Sequence, residues 1–253
     1  MIVNVIPCLS DNYSYCIIDH ETKKVCLIDP AEFDSVDAFL QKNNLTVDYI
    51  LNTHHHSDHV GGNTLLKKKY NCKILGFGPD KNRIPGLDIS LNEKQIWNFG
   101  NTEIEIRHAP GHTSGHVFYL IKKEKMAFVG DVVFSLGCGR VFEGTLEQMY
   151  DSINKIKNLP METKIFCGHE YTQSNLKFCL SLDKNNSDLK KREKQILEQR
   201  GRNEPTIPTT VLEEQKTNVF FRLNDPRIRK AILLEKASDL EVFKKLRKLK
   251  DNF

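Results

Sequence analysis

Four apolar runs in this chain each lead into a histidine or an aspartate. Tyr49-Ile50-Leu51 runs into Thr53-His54-His55-His56-Ser57-Asp58-His59, and Thr102-Glu103-Ile104-Glu105-Ile106-Arg107 runs into Pro110-Gly111-His112-Thr113. Ala127-Phe128-Val129-Gly130 stops on Asp131, and Lys164-Ile165-Phe166-Cys167-Gly168 stops on His169. Short apolar or alternating runs of this kind, closed by turn residues, read as strands. In α/β proteins ligands collect at the carboxyl ends of strands. The repeated grammar therefore calls for a β-rich domain in which four strand ends share a rim.

The residue types on that rim point to metal chemistry. His54 and His56 leave an extended stretch on the same side, two residues apart. Asp58 and His59 begin a turn and aim at a second point, so the string suits two neighbouring cations better than one. A carboxylate such as Asp131 can bridge two divalent ions, which a neutral imidazole cannot. Mixed nitrogen and oxygen ligation suits zinc and also accommodates iron or manganese. The remaining histidines carry blander expectations. His55 faces a supporting partner or solvent, His108 and His116 flank His112 as candidates to orient it, and His20 lies in an exposed turn. Asp29, at the end of Leu27-Ile28, is either a partner to the metal site or a turn cap.

The net charge of +4 conceals a division. From Gln173 onward there are 19 Lys and Arg against 12 Asp and Glu, or +7, and the first 172 residues carry 18 against 21, or −3. Texture changes at the same place. Up to Tyr171 strand-like runs alternate with helices, including Lys24–Ile28, Lys73–Gly76, Val117–Ile121 and Met126–Gly130. Beyond it the pattern is helical, with no strand expected. Thr210-Val211-Leu212-Glu213 and Ser238-Asp239-Leu240-Glu241 fit capping boxes. Asp225-Pro226 fits an N-cap followed by proline, and Asn185-Asn186-Ser187 divides two helices. Two domains are expected, 1–172 catalytic and 173–253 helical. Seven scattered cysteines without a C-x-x-C pair point to buried thiols in a reducing cytoplasm, not a disulfide framework. No run is apolar over a membrane-spanning length, and the amino terminus lacks the basic region of a secretory leader.

The metal-type motifs Thr53–His59, Gly111-His112-Thr113, Gly130-Asp131 and Gly168-His169 resemble, in kind and order, those of the metallo-β-lactamase superfamily. Gly137-Cys138-Gly139-Arg140-Val141-Phe142-Glu143-Gly144-Thr145 and Cys167-Gly168-His169-Glu170-Tyr171-Thr172 narrow the resemblance to its glyoxalase II branch, the hydroxyacylglutathione hydrolases. So do Glu204–Thr210 and the ending Arg247-Lys248-Leu249-Lys250-Asp251-Asn252-Phe253. The resemblance implies an αββα sandwich with a carboxyl-terminal helical domain. It implies one cation on His54, His56 and His112, another on Asp58, His59 and His169, and Asp131 shared by both.

The implied reaction is hydrolysis of an S-(2-hydroxyacyl)glutathione, such as S-D-lactoylglutathione, to glutathione and a 2-hydroxy acid. A metal-bound hydroxide attacks the thioester, with Asp58 and Asp131 as the carboxylates at the reacting centre. In the family, the positions matched by Arg140, Arg247 and Lys250 grip the glycine carboxylate of glutathione, and that of Tyr171 meets its peptide backbone. Phe142 stands where some members have tyrosine, so one hydroxyl contact is absent. Rival readings are another hydrolase of the superfamily, such as a lactonase, and a persulfide dioxygenase with a single iron. The helical tail with its paired Arg247 and Lys250 argues against the first. Nucleic-acid cleavage would exploit the basic half, but that half has few exposed-looking aromatics for base stacking. A monomer acting on a small molecule, without nucleic acid or membrane, is expected.

Overall fold

The computed structural model describes residues 1–253. They pack as two compact units, Met1–His108 with Gly115–Gly130, and Ala109–Ser114 with Asp131–Phe253.

The first unit opens with β1 (Ile2–Cys8), β2 (Asn12–Ile18) and β3 (Val25–Ile28), paired antiparallel. After α1 (Phe33–Lys42) the chain enters β4 (Tyr49–Leu51), then α2 (Ser57–Val60), α3 (Asn63–Tyr70), β5 (Lys73–Phe77) and β6 (Ile89–Leu91). From β3 to β6 the pairing is parallel. Parallel neighbours need crossovers, which α1 and α3 supply. The helices bury Val36, Leu40 and Leu66 on one face of this sheet, against Leu27, Ile50 and Ile74.

Its other face meets a second set of strands, β7 (Ile96–Phe99), β8 (Thr102–His108), β9 (Val117–Ile121) and β10 (Met126–Gly130), an antiparallel meander. Tyr15 packs edge-on against Phe128 at 5.3 Å and Tyr49 against Phe99 at 6.4 Å. The buried Tyr119 hydroxyl donates to the Asn52 carbonyl at 2.6 Å. Each such ring taken from water contributes about 1.5–3 kcal/mol. The result is a layer of helix and two layers of sheet. Because β3, β4 and β5 run parallel, Asp29, the Thr53–His59 segment and Asp80 all lie at their carboxyl ends.

The second unit contains a small hairpin, β11 (Val133–Phe134) with β12 (Gly137–Cys138), followed by α4 (Leu146–Lys157), β13 (Lys164–Cys167), α5 (Thr172–Asp183) and α6 (Ser187–Gly201). Then come β14 (Thr209–Thr210), α7 (Val211–Thr217), α8 (Pro226–Ala231) and α9 (Asp239–Asp251). The capping boxes at Thr210 and Ser238 form as the sequence dictates, Thr145 makes a third with Gln148, and Asp225 caps α8 ahead of Pro226. Asn186 caps α6, and Phe178, Phe220 and Phe243 fill the space among the helices. One expectation needs correction. The region beyond residue 172 does contain a strand, β14, whose two residues pair antiparallel with Lys164 and Ile165. Two residues are too few to leave an alternating pattern, and partner pairing makes the strand.

Candidate metal centre

In the first unit the site is organised by Asp29. This residue follows β3 with φ 49°, a left-handed conformation that costs a non-glycine residue about 1–2 kcal/mol. The bend turns its buried carboxylate towards the loop after β4. Oδ1 accepts from the Thr53 backbone N–H at 2.7 Å, and Oδ2 accepts from the Thr53 hydroxyl at 2.6 Å. His59 Nδ1 lies 3.0 Å from the same Oδ2. A carboxylate only accepts, so His59 Nδ1 carries a proton, which in the neutral ring leaves the lone pair on Nε2. Thr53 extends the chain by one link. Its proton goes to Asp29, so its oxygen accepts from His54 Nδ1 at 3.0 Å, and His54 Nε2 is also left as the lone-pair nitrogen. Hydrogen bonds on Nδ1 are how proteins fix the metal-binding tautomer of histidine.

These rings lie together. The His54 centroid is 4.1 Å from that of His59 and 4.7 Å from that of His56. His116, fully buried, stacks on His54 at 4.7 Å. Asp58 is 37% exposed at its side chain, and its Oδ2 lies 3.8 Å from His59 Nε2. Asn12 holds that oxygen with a 3.0 Å hydrogen bond and takes the Asp58 carbonyl with the same amide. Gly130 closes the wall. Its φ is +48°, and a Cβ there would stand 2.5 Å from Thr53 Oγ1 and 2.7 Å from His116 Nε2.

In the second unit Asp131 lies between two histidines. Its Oδ2 is 3.4 Å from His112 Nε2 and 3.3 Å from His169 Nε2. His112 Nδ1 donates to the Arg140 carbonyl at 2.9 Å, so its Nε2 again presents a lone pair. Tyr171 stacks on His169 with centroids 4.6 Å apart and planes 5° from parallel. Gly139 leaves room for Asp131: a Cβ at 139 would fall 1.9 Å from the Asp131 carbonyl oxygen.

The donor chemistry fits divalent cations. In both units a lone-pair nitrogen faces a carboxylate oxygen at 3.4–3.8 Å, His112 with Asp131 and His59 with Asp58. With the imidazoles neutral and protonated at Nδ1, each such pair is two acceptors face to face, an arrangement that a divalent cation between them would stabilise. Of the residues expected at the site, the first unit holds His54, His56, Asp58 and His59, and the second His112, Asp131 and His169.

The residues expected to meet substrate lie in the second unit in different settings. The Arg140 side chain is 64% exposed and 3.8 Å from Asp251. Phe142 is 62% exposed with its ring edge-on to His112 at 5.2 Å. Lys250 is half-buried, over the rings of Phe178 and Phe253, and burial is the main cause of its lowered pKa. Arg247 is only 3% exposed. Its guanidinium donates to the Cys138 carbonyl at 2.8 Å and to Asp251 at 2.9 Å, and stands over Phe220.

Of the remaining histidines, His55 lies between Asp80 and Arg83, His108 stacks on Phe77, and His20 is exposed. All seven cysteines are free and buried. Burial pushes the Cys16, Cys167 and Cys179 thiols up to about 12 and that of Cys72 to about 11, and raises Cys8, Cys26 and Cys138 as well.

The sequence reading passed over Asn12, Thr53 as a relay, and the Arg140 carbonyl. Thr53 was visible as the residue before the histidines, but the other two carry no local signal.

Comparison with known proteins agrees in both halves of the chain. Residues 11–169 match the Metallo-beta-lactamase superfamily, and residues 170–253 match the Hydroxyacylglutathione hydrolase C-terminus. A hydroxyacylglutathione hydrolase of Pelagibacter ubique is 47% identical over 253 residues, covering 100% of both chains. One from Mesorhizobium japonicum is 44% identical, covering 97% of this chain and 96% of its own. Among solved structures, the BLEG-1 B3 metallo-β-lactamase superposes with TM-score 0.67 at 22% identity, over 87% of this chain and 100% of the other. ETHE1 from Myxococcus xanthus does so with TM-score 0.66 at 23% identity, over 97% and 100%. Those two likenesses establish the fold, an αββα sandwich of the metallo-β-lactamase type with a carboxyl-terminal helical region. The chain belongs to the hydroxyacylglutathione hydrolases, within the metallo-β-lactamase superfamily.

Proposed function

We propose that this chain hydrolyses S-(2-hydroxyacyl)glutathione thioesters, with S-D-lactoylglutathione as the type substrate, to glutathione and a 2-hydroxy acid, the second step of methylglyoxal detoxification. The observation that carries this reading is the Hydroxyacylglutathione hydrolase C-terminus match over residues 170–253, in a chain whose two units each hold a buried histidine–carboxylate cluster. Relatives of that name align along the full length. The same boundary supports a functional division into a catalytic part, 1–172, and a helical substrate-binding part, 173–253.

His54, His56 and His112 would hold one cation, Asp58, His59 and His169 the other, and Asp131 both; zinc suits this set best, with iron or manganese also accommodated. Bound cations supply Lewis acidity, polarising the thioester carbonyl and lowering the pKa of a water from about 15.7 towards neutrality. Around them the chain's own groups do the orienting. The Asp29–Thr53 relay and the Arg140 carbonyl fix the imidazole tautomers. Asp58, which accepts a hydrogen bond from Asn12, would orient the attacking water as well as ligate. A thiol leaves with a pKa of about 8.5, so it departs as thiolate without an acid residue. No cysteine serves as nucleophile, because each thiol is buried and held protonated.

By the family resemblance Arg140, Arg247 and Lys250 would supply cations for the glutathione carboxylate, and Tyr171 would offer a hydroxyl to its peptide backbone. Phe142 offers an apolar face only. The free buried cysteines support a reducing cytoplasm as the working compartment, and a monomer suffices for a site whose ligands all come from one chain. Purified protein should carry two divalent metals per chain and release free thiol from S-D-lactoylglutathione. A chain loaded with two metals that leaves this thioester intact refutes the assignment.

A further inference from the structure

Three consecutive carbonyls in the segment after α6 are held by side chains of that helix. Arg200 donates to the Glu204 carbonyl at 2.9 Å, Gln199 to that of Pro205 at 3.4 Å, and the buried Arg192 to that of Thr206 at 3.1 Å. Thr206 is itself buried, and both of its donors go to Glu170, whose side chain is only 7% exposed. The Thr206 N–H donates to Glu170 Oε2 at 2.9 Å, and the hydroxyl donates to Oε1 at 2.8 Å. A hydroxyl has one proton to give. The Thr172 hydroxyl, 2.6 Å from that of Thr206, is therefore the donor of that pair. Glu170 separates two rings that stack on one another, those of His169 and Tyr171, and Phe134 meets both edge-on at 5.8 and 5.0 Å. One threonine thus ties down the residue between these rings and the residue that follows them, the first of α5.

We propose that Thr206 is a positioning residue for His169 and Tyr171, holding through Glu170 and Thr172 the turn that presents one ring to metal and the other to substrate. The proposal rests on the metal-dependent thioester reading above and gives the Glu204–Thr210 segment a part in it. A carboxylate so nearly sealed from water must have its charge met by donors. Thr206 supplies two, while the Arg200 guanidinium stands 3.9 Å away. Planar peptide units join Glu170 to His169 and to Tyr171, so a Glu170 that loses its anchor loosens the backbone on which both rings are set. A threonine that served packing alone makes a different prediction, lower stability with the constants of the folded holoenzyme unchanged.

The test compares two variants with the wild-type holoenzyme: Thr206→Val, which keeps the shape and removes the hydroxyl, and Thr206→Ser, which keeps the hydroxyl. Zinc affinity is measured by competition with a chromophoric chelator. Values of kcat and KM are measured on S-D-lactoylglutathione and on a simple thioester lacking glutathione. Loss of a group that supports a metal ligand weakens metal binding by about 10–100-fold. We expect a drop in that range for the valine variant, with kcat falling on both thioesters. A displaced Tyr171 should add a rise in KM of about 2–10-fold for the glutathione thioester alone, the worth of one neutral hydrogen bond. Serine should bring all three readings back to near wild-type values. If Thr206→Val lowers only the urea midpoint of unfolding, and zinc affinity, kcat and KM stay at wild-type values, Thr206 is a packing residue and the proposal is wrong. Failure of serine to restore the readings overturns it equally. Should the valine variant fail to fold, Glu170→Gln, which sets an amide NH2 against one of the two Thr206 donors, decides by the same readings. If the wild-type chain does not hydrolyse lactoylglutathione, the functional assignment falls, while the zinc affinities still decide the role of Thr206.

Discussion

Replacing Asp29 with asparagine exchanges one carboxylate oxygen for an amide nitrogen at nearly constant volume, yet it inverts the hydrogen bonding of the first unit's metal ligands. The carboxylate accepts three bonds, from Thr53 N–H, the Thr53 hydroxyl and His59 Nδ1. If the asparagine oxygen keeps the Thr53 N–H, its NH2 faces the Thr53 hydroxyl and His59 Nδ1. His59 must then move its proton to Nε2, the nitrogen needed for metal, and Thr53 no longer draws the His54 proton onto Nδ1. If the amide is flipped, NH2 confronts a backbone N–H at 2.7 Å. One buried donor left unsatisfied costs about 1–3 kcal/mol, so the metal-free variant should unfold at lower denaturant by that amount. Zinc affinity should drop about 10–100-fold, equivalent to about 1.4–2.7 kcal/mol. Chelator competition and urea unfolding of the metal-free protein measure the two quantities separately. An Asp29→Asn protein that binds two zinc ions as tightly as wild type would show that the tautomers are not set by this relay.

Asp131→Asn should cut bound metal to one per chain or fewer and remove most turnover, by metal analysis beside thiol release; two tightly held metals with full activity would end its role as a shared ligand. Cys167→Ala and Cys138→Ala, which leaves the Cys138 carbonyl in place, should both turn over, whereas chelation should abolish activity; a trapped acyl-cysteine would contradict this. Lys250→Ala should raise KM for the glutathione thioester about tenfold, since a partly desolvated charge-assisted contact is worth about 1.5–3 kcal/mol, with little change in kcat. Asp19 has its pKa lowered to about 2 by the Thr22 backbone N–H first, with help from the Thr22 and Thr102 hydroxyls. A depressed carboxylate pKa stabilises the fold above pH 4 and loses that contribution as pH falls from 4 to 2. Asp19→Asn should therefore flatten the fall in unfolding free energy between pH 5 and 2; an unchanged slope would count against it.

The strand ends were legible because each carries its own signal, an apolar run that stops on a ligand-type residue. The capping boxes at Thr210 and Ser238 were legible for the same reason, since donor and acceptor are three residues apart. The supporting contacts were not. Asn12 reaches Asp58 across 46 residues and Asp29 reaches Thr53 across 24, and neither spacing leaves a local pattern. The Arg140 carbonyl is a backbone atom, which no residue identity announces. Arg247 offered a clue that its charge concealed. It lies four residues after Phe243 on the stripe that α9 buries with Val242 and Leu246, a position where a basic residue must find its partners inside the protein.

The buried cysteines have a consequence for life beside the product. The proposed reaction releases a thiol at every turnover, and thiol–disulfide exchange requires a thiolate on one partner and access to it. With a thiol pKa of about 12, as at Cys16, Cys167 and Cys179, about one molecule in 10⁵ is ionised at pH 7. The residue is also buried at all seven positions. Mixed disulfides and electrophilic aldehydes thus meet thiols whose burial and raised pKa slow their reaction. Burial and raised thiol pKa together disfavour exchange at these cysteines, so the fold keeps its own sulfur apart from the thiol its reaction releases.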